Sequence, residues 1–89
     1  MNEVKRIISN GNSICFIIQT VGNKDFWWWK IDVATWELYW KNKNPKYITG
    51  RIDFVAANEF VNSDECSHCG CSCASFNSEA DATKDYMKN

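Results

Sequence analysis

The first part of the chain alternates apolar and polar residues in short runs, a pattern typical of half-buried strands. Residues 4–9 form the first predicted strand, and Asn10-Gly11-Asn12 suits a tight hairpin turn because Asn-Gly readily adopts positive φ angles. The second predicted strand, residues 13–21, carries apolar side chains on both faces, as a central strand does. Short connections between these runs favour an antiparallel meander.

The tryptophan-rich segment, DFWWWKIDVATWELYWK at residues 25–41, contains all five tryptophans of the chain. We predict a β-hairpin here with a four-residue loop from Asp32 to Thr35. A shorter loop would set Asp32 opposite Glu37, and like charges in opposite positions destabilise a sheet. The predicted register pairs the following residues: Lys30 with Glu37, Trp28 with Tyr39, and Trp29 with Leu38.

The two faces of this predicted hairpin differ in character. Strand alternation assigns one face to the main core, namely Trp27, Trp29, Ile31, Trp36, Leu38 and Trp40. The other face mixes aromatic and charged side chains, which makes it a candidate partner-binding surface. The candidate binding residues are Phe26, Trp28, Tyr39 and Lys41. The alternative, that another strand or the C-terminal segment covers these aromatic rings, is favoured because a small domain needs every apolar contact it has.

After the hairpin, residues 46–49 are predicted to form a short fifth strand. Ile52, Val55, Ala56 and Phe60 then recur at helical spacing and predict one helix at about residues 52–62, capped by Thr49 or Asp53. The alternative is that residues 52–55 continue the preceding strand. The tail, residues 74–89, is either a short helix capped by Ser78 or a mobile segment. The predicted fold is therefore α+β and β-rich: an antiparallel meander of four to five strands at residues 3–49, one helix, and a cysteine-rich metal-binding knuckle.

The length and composition predict one small domain spanning residues 1–89, because 89 residues with 45% hydrophobic content suit a single core. No apolar run is long enough to cross a bilayer or to act as a secretion signal, so a cytoplasmic location is expected.

The charged residues are distributed unevenly along the chain. Residues 1–51 carry eight Lys/Arg and four Asp/Glu, and residues 52–89 carry two and seven, giving +4 and −5. This asymmetry indicates either a basic binding surface or two halves that attract each other.

The cysteine cluster, CSHCGCSC at residues 66–73, predicts a metal site. Disulfides are uncommon inside cells, and zinc usually takes four nitrogen or sulfur ligands in a tetrahedron. The preferred ligands of one zinc ion are Cys66, Cys69, Cys71 and Cys73, with His68 or Cys15 as substitutes for one of them. Free thiols and disulfides remain alternatives. A site closed by four thiolates has no position for water or substrate, so this zinc would be structural.

Two local resemblances concern the same cluster. Cys66, Cys69 and Cys71 resemble the metal claw of nitrile hydratases, which would imply an iron or cobalt centre, although the likeness covers only a few residues of a much larger enzyme. The density of Cys and Ser at residues 66–75 resembles the core segments of ribosomally made modified peptides, with residues 1–62 as a folded leader. Either resemblance would make residues 66–75 the functional segment of the chain.

The motifs favour a function without catalysis. The one histidine, His68, lies within the cysteine cluster, and the sequence contains no phosphate-binding loop. The predicted function is a non-enzymatic protein-binding module, of inhibitor or adaptor type and regulatory in role, with a structural zinc. The alternative is a nucleic-acid or nucleotide-binding module that uses aromatic rings with a basic track, formed by Lys41, Lys43, Lys46 and Arg51. A small metal-thiolate enzyme or a modified-peptide precursor is the third class.

Overall fold

The computed structural model describes residues 1–63, 70–72 and 74–88 of the chain. Its secondary-structure elements in chain order are β1 (Asn2–Asn10), β2 (Ser13–Thr20), β3 (Phe26–Asp32), α1 (Val33–Lys43), α2 (Phe54–Val61), β4 (Gly70–Cys71) and α3 (Glu79–Lys88). The predicted meander of four to five strands with one helix is therefore wrong. The described residues instead form three long antiparallel strands, a two-residue fourth strand, and three helices.

The sheet has the order β1-β2-β3-β4, with every pair antiparallel. Gly11 occupies the β1–β2 turn with a φ of 58°, the left-handed conformation that the Asn-Gly pair predicts. The central strand β2 is buried on both faces, since every residue from Ile14 to Ile18 is fully buried. The prediction of a central strand here, made because apolar side chains occupy both of its faces, is confirmed.

The predicted tryptophan hairpin is wrong at its second strand. The chain does not turn back after Asp32 but enters α1 directly, and Asp32 stands at the N-cap position. Trp36 and Trp40 are four residues apart, so a helix places both on one face, and both are buried there. Leu38, assigned to the core by strand alternation, is 62% exposed. Burial of the two indole rings outweighs the strand preference of the aromatic and β-branched residues.

The segment after α1 also differs from the prediction. Residues 44–53, which include the expected fifth strand at 46–49, contain no strand and form a loop that leads into α2. The prediction of a helix capped by Asp53 is confirmed, because Asp53 Oδ1 accepts a 2.8 Å hydrogen bond from Ala56 N. In the tail, Ser78 Oγ accepts a hydrogen bond from Asp81 N at the start of α3.

Two cores lie on opposite faces of the sheet. The larger one packs α1 and α2 against the sheet face that carries Phe16 and Trp29, and Phe60 of α2 lies in ring contact with both. The smaller core packs α3 against the other face, where Tyr86 meets Trp28 with ring centroids 5.4 Å apart. The sheet is thus covered on both sides over β2 and β3.

The outer edge of β1 is partly closed by α2. Asn58 Oδ1 accepts a hydrogen bond from Val4 N, and Asn62 Oδ1 accepts one from Asn2 N, each at 2.8 Å. These side chains satisfy strand N–H groups that would otherwise be available to another chain. Among the described residues, no helix is both long and apolar enough to cross a membrane.

Candidate binding groove between the first two helices

The structure does not bring the predicted partner-binding residues together. Trp28 is only 9% exposed and lies beneath α3, with Phe26 partly buried beside the same smaller core. Tyr39 lies on α1 and packs edge-on against Phe60 in the larger core, on the other side of the sheet. Lys41 is exposed on α1. The expected pairing of Trp28 with Tyr39 is therefore wrong, because α1 is a helix rather than a return strand.

The predicted basic track is partly neutralised. Lys43 Nζ lies 2.7 Å from Glu59 Oε1, and Arg51 Nε lies 2.9 Å from Asp53 Oδ2. The hydrogen bond that Lys43 donates to the Glu59 carboxylate is the main cause that raises the pKa of Lys43. Lys41 and Lys46 are exposed and form no ion pair within the described ranges.

Of the predicted metal ligands, the structure describes Cys71 and the substitute Cys15. Cys71 is exposed on β4, whereas Cys15 is fully buried in the smaller core, where burial raises the pKa of its thiol to about 12. Cys66, His68, Cys69 and Cys73 lie outside the described residues. The described residues alone contain no group of three or more metal-ligating side chains. The zinc site therefore stays a prediction.

A partly open cavity of about 170 Å³ lies between α1, the 44–53 loop and α2. We call it the α1–α2 groove. Its walls are formed by the following residues: Trp40 from α1, Asn44, Tyr47 and Arg51 from the loop, and Val55, Ala56 and Glu59 from α2. A cavity of about 150 Å³ is large enough to hold a benzene molecule, so this groove has room for one ring-sized group.

One buried indole holds the loop that forms the far wall. Trp36 Nε1 donates to Tyr47 Oη at 3.1 Å and to the Arg51 carbonyl oxygen at 3.2 Å. The Tyr47 hydroxyl in turn donates to the same Arg51 carbonyl. Tyr47 and Arg51 of the loop are thus fixed to α1 by hydrogen bonds, so the groove has a preformed wall.

The base of the loop is fixed by an acidic side chain. Glu37 Oε1 accepts a 2.9 Å hydrogen bond from Gly50 N, and Gly50 has a φ of 87° that favours glycine. Burial of the Tyr47 hydroxyl is the main cause that raises its pKa, and the negative charge of Glu37 acts in the same direction. Tyr47 therefore remains a neutral hydroxyl at physiological pH.

Trp40 lines the groove beside Tyr47, and the two rings stack with an interplanar angle of 20° and centroids 6.3 Å apart. Trp40 is 8% exposed, and its Nε1 is buried without a hydrogen-bond partner within the described part of the chain. Leaving a buried donor unpaired costs about 1–3 kcal/mol. Native proteins rarely retain a buried donor without a partner. In this respect Trp40 differs from Trp36, whose Nε1 has two acceptors.

The rim of the groove is unusually apolar for a helix start. Val55, on the first turn of α2, is 78% exposed although it borders the cavity. Its neighbour Phe54 and the loop residue Ile48 are also exposed. Exposed apolar residues grouped beside a cavity, with charged side chains around them, are typical of a binding surface.

A wider groove of about 690 Å³ lies between the N-terminus and α2, but its polar side chains are already engaged. Asn58 and Asn62 in its walls bind backbone groups of β1, and Lys43 pairs with Glu59. The α1–α2 groove is the better candidate because it combines aromatic walls with an exposed apolar side chain, Val55, at its rim.

Comparison with known proteins adds no relative. No protein-family model matches the chain, and neither the curated proteins nor the solved structures contain a significant match.

The α1–α2 groove was missed at the level of sequence because it depends on α1 being a helix. The four-residue spacing of Trp36 and Trp40 is the signal that points to that helix.

Proposed function

We propose that this protein is a non-enzymatic protein-binding module, of adaptor or inhibitor type, and that its recognition surface is the α1–α2 groove. The observation that carries the proposal is Val55, an apolar side chain that is 78% exposed and lines the same cavity as Trp40 and Tyr47. Burial of this exposed apolar surface by a bound partner would contribute directly to affinity.

The composition of the groove supports a protein partner. Trp, Tyr and Arg are the residues that most often dominate interface energy, and Trp40, Tyr47 and Arg51 line this cavity together. The hydrogen bonds between α1 and the 44–53 loop fix the position of the groove walls in the unbound protein. A preformed surface loses little conformational entropy when a partner docks.

The cysteine cluster has a separate role in this proposal. One zinc ion, bound by Cys66, Cys69, Cys71 and Cys73, would fix the connection between α2 and α3. Its role is structural, because four thiolates leave no open coordination position. The proposal places the module in the cytoplasm, where thiols stay reduced and available to the metal.

Two matched variants test the recognition surface. Val55→Asp places a charge at the groove rim, and Leu38→Asp places the same charge at an exposed helical position that does not line the cavity. Both tagged proteins are used beside the wild type to capture partners from a lysate of the source cells. We expect one protein to be retained by the wild type and by Leu38→Asp and lost with Val55→Asp.

Two outcomes contradict the proposal. Equal retention of the captured protein by all three proteins would show that the binding surface lies outside the α1–α2 groove. The absence of any protein retained specifically by the wild type would contradict the protein-binding function itself. Circular dichroism and thermal melting of each variant establish that the fold is unchanged.

A further inference from the structure

The outer edge of the sheet, strand β1, is closed over only half of its length. We infer that the open half pairs with the same segment of a second copy of this chain, so that residues 6–10 of two molecules lie antiparallel and join their sheets across a two-fold axis at Ile8. This edge shares no residue with the α1–α2 groove and does not depend on the proposed function.

The register of the β1–β2 pair shows which backbone groups of β1 point away from the sheet. Asn10 lies opposite Ser13 across a two-residue turn, so these residues exchange hydrogen bonds, as does every second pair from there along the strands. The N–H and C=O groups of the intervening residues, Ile7 and Ser9, therefore point outward. In the described part of the chain these outward groups have no hydrogen-bond partner.

The other half of the edge is closed within the chain. The outward N–H groups of Asn2 and Val4 donate to asparagine side chains of α2. A register shift between Val4 and Arg6 then interrupts the edge. Bulges of this kind are one of the devices that protect a strand edge from pairing. Residues 6–10 have neither form of protection, which limits an added strand to this short segment.

The open segment is complementary to itself. With Ile8 opposite Ile8 of the second copy, Ile7 of each chain lies opposite Ser9 of the other, and each such pair exchanges two hydrogen bonds. Every outward donor and acceptor of the segment is then satisfied. A two-fold axis at Ile7 would instead set Ser9 opposite Lys5 at the register shift, and one at Ser9 would set Ile7 opposite Gly11 in the turn. Because both chains use the same edge, the contact closes as a dimer.

The side chains of the segment favour a second copy. Ile8 is only partly buried against the smaller core. Opposite its own copy it would form a β-branched pair at the closest spacing that an antiparallel sheet offers. Arg6 is the single charged residue of the segment, is paired with Glu79 of its own chain, and would lie opposite Asn10 of the second copy. No like charges therefore oppose each other across the axis.

Sedimentation of the intact protein from micromolar to millimolar concentration tests the dimer. A reducing buffer prevents the exposed Cys71 from linking two copies covalently. Ser9→Pro removes an outward N–H group, and proline is tolerated at an edge position of this kind. Ser9→Ala is the matched control, because it keeps the N–H group. Amide hydrogen exchange then locates the contact, with the Val4 N–H, bonded to Asn58 within one chain, as the internal reference.

We expect the mass to rise toward that of two chains as the concentration increases, and the Ile7 and Ser9 amides to become protected only in the dimer. Ser9→Pro should associate at least about tenfold more weakly, because one hydrogen bond is lost from each chain, and Ser9→Ala should associate as the wild type does. A single-chain mass at every concentration would overturn the inference. So would undiminished association of Ser9→Pro, or a dimer whose Ile7 and Ser9 amides exchange as fast as in the dilute protein.

Two variants of an exposed residue test the register and do not depend on the folding of Ser9→Pro. Asn10 is exposed and would lie opposite Arg6 of the second copy. Asn10→Glu should therefore associate more tightly than Asn10→Arg, with dissociation constants that differ by about fivefold or more. The change in net charge acts in the opposite direction, since Asn10→Glu makes the negative chain more negative. Equal constants, or tighter association of Asn10→Arg, would overturn the pairing about Ile8.

Discussion

The indole N–H of Trp28 donates a 2.8 Å hydrogen bond to Oδ2 of Asp85, which joins the third strand to the last helix. Tyr86, the next residue of α3, covers the face of the same indole. Trp28 is therefore a structural residue of the smaller core rather than part of an open aromatic surface. The protein stabilises both faces of its sheet with tryptophan.

Replacement of either neighbouring tryptophan is expected to destabilise the protein severely. Trp28 and Trp29 point to opposite faces of β3, and both are buried. Truncation of a buried aromatic residue typically costs about 3–5 kcal/mol, so we expect a loss of that size for both Trp28→Ala and Trp29→Ala. Chemical denaturation measures it, with Leu38→Ala as an exposed control that changes stability by less than about 0.5 kcal/mol. A loss for Trp28→Ala as small as that of the control would contradict the packing of α3.

The two buried tryptophans of α1 provide a second comparison. Trp36 Nε1 has two acceptors, whereas Trp40 Nε1 has none in the described residues. A phenylalanine retains a ring but removes the donor at either site. Because each hydrogen bond contributes about 0.5–1.5 kcal/mol, we expect Trp36→Phe to lower the free energy of unfolding by at least about 1 kcal/mol more than Trp40→Phe. Equal losses in urea denaturation would show that the Trp40 donor is satisfied in the free protein.

The buried thiol of Cys15 makes stability depend on alkaline pH. Burial raises its pKa from 9.0 to about 12, so the unfolded chain loses this proton first as the pH rises. The contribution of the neutral thiol is complete below pH 9 and is lost between pH 9 and about 12, at up to about 1.4 kcal/mol per pH unit. The stability advantage of the wild type over Cys15→Ala should therefore shrink as the pH is raised from 8 to 11. An advantage that stays constant over this range would contradict the raised pKa.

The proposed zinc site makes a separate prediction. Native mass spectrometry should detect one zinc ion per chain, released on acidification, because four thiolates lie within eight residues of sequence. Cys71→Ser should lower zinc retention strongly, whereas Cys15→Ala should retain the metal because Cys15 is fully buried in the smaller core. Intact disulfides or metal-free thiols in freshly purified protein would contradict the site.

The sequence was sufficient to predict part of this fold. Alternation along residues 4–9 and 13–21 located β1 and the central strand, and helical spacing with Asp53 located α2. The segment after Asp32 was not predictable by the same method. Its Trp36, Leu38 and Trp40 alternate as a strand would, and only the three-dimensional environment shows that Leu38 is exposed while both indoles are buried.

The candidate site was less predictable than the fold, for a physical reason. The basic residues near the groove were identified as a cluster, but their pairing with Glu59 and Asp53 depends on how α1, the loop and α2 meet. That Trp40 Nε1 has no partner among the described residues likewise has no signature in local sequence, because hydrogen bonding of a buried group depends on residues distant along the chain. Alternation placed Trp28 on the second face of the strand but could not decide whether that face is open or covered, because the return of α3 over it depends on distant residues.

The central claim is that the α1–α2 groove is the binding surface, and one measurement tests it most directly. The affinity of the protein captured by the wild type is measured by calorimetry for the wild type, for Val55→Asp and for the control Leu38→Asp, after thermal melting has shown that all three are folded. We predict at least about tenfold weaker binding for Val55→Asp, equivalent to about 1.4 kcal/mol, because the new carboxylate would lose its hydration in the complex, and unchanged binding for Leu38→Asp. Unchanged affinity in a folded Val55→Asp protein would contradict the account.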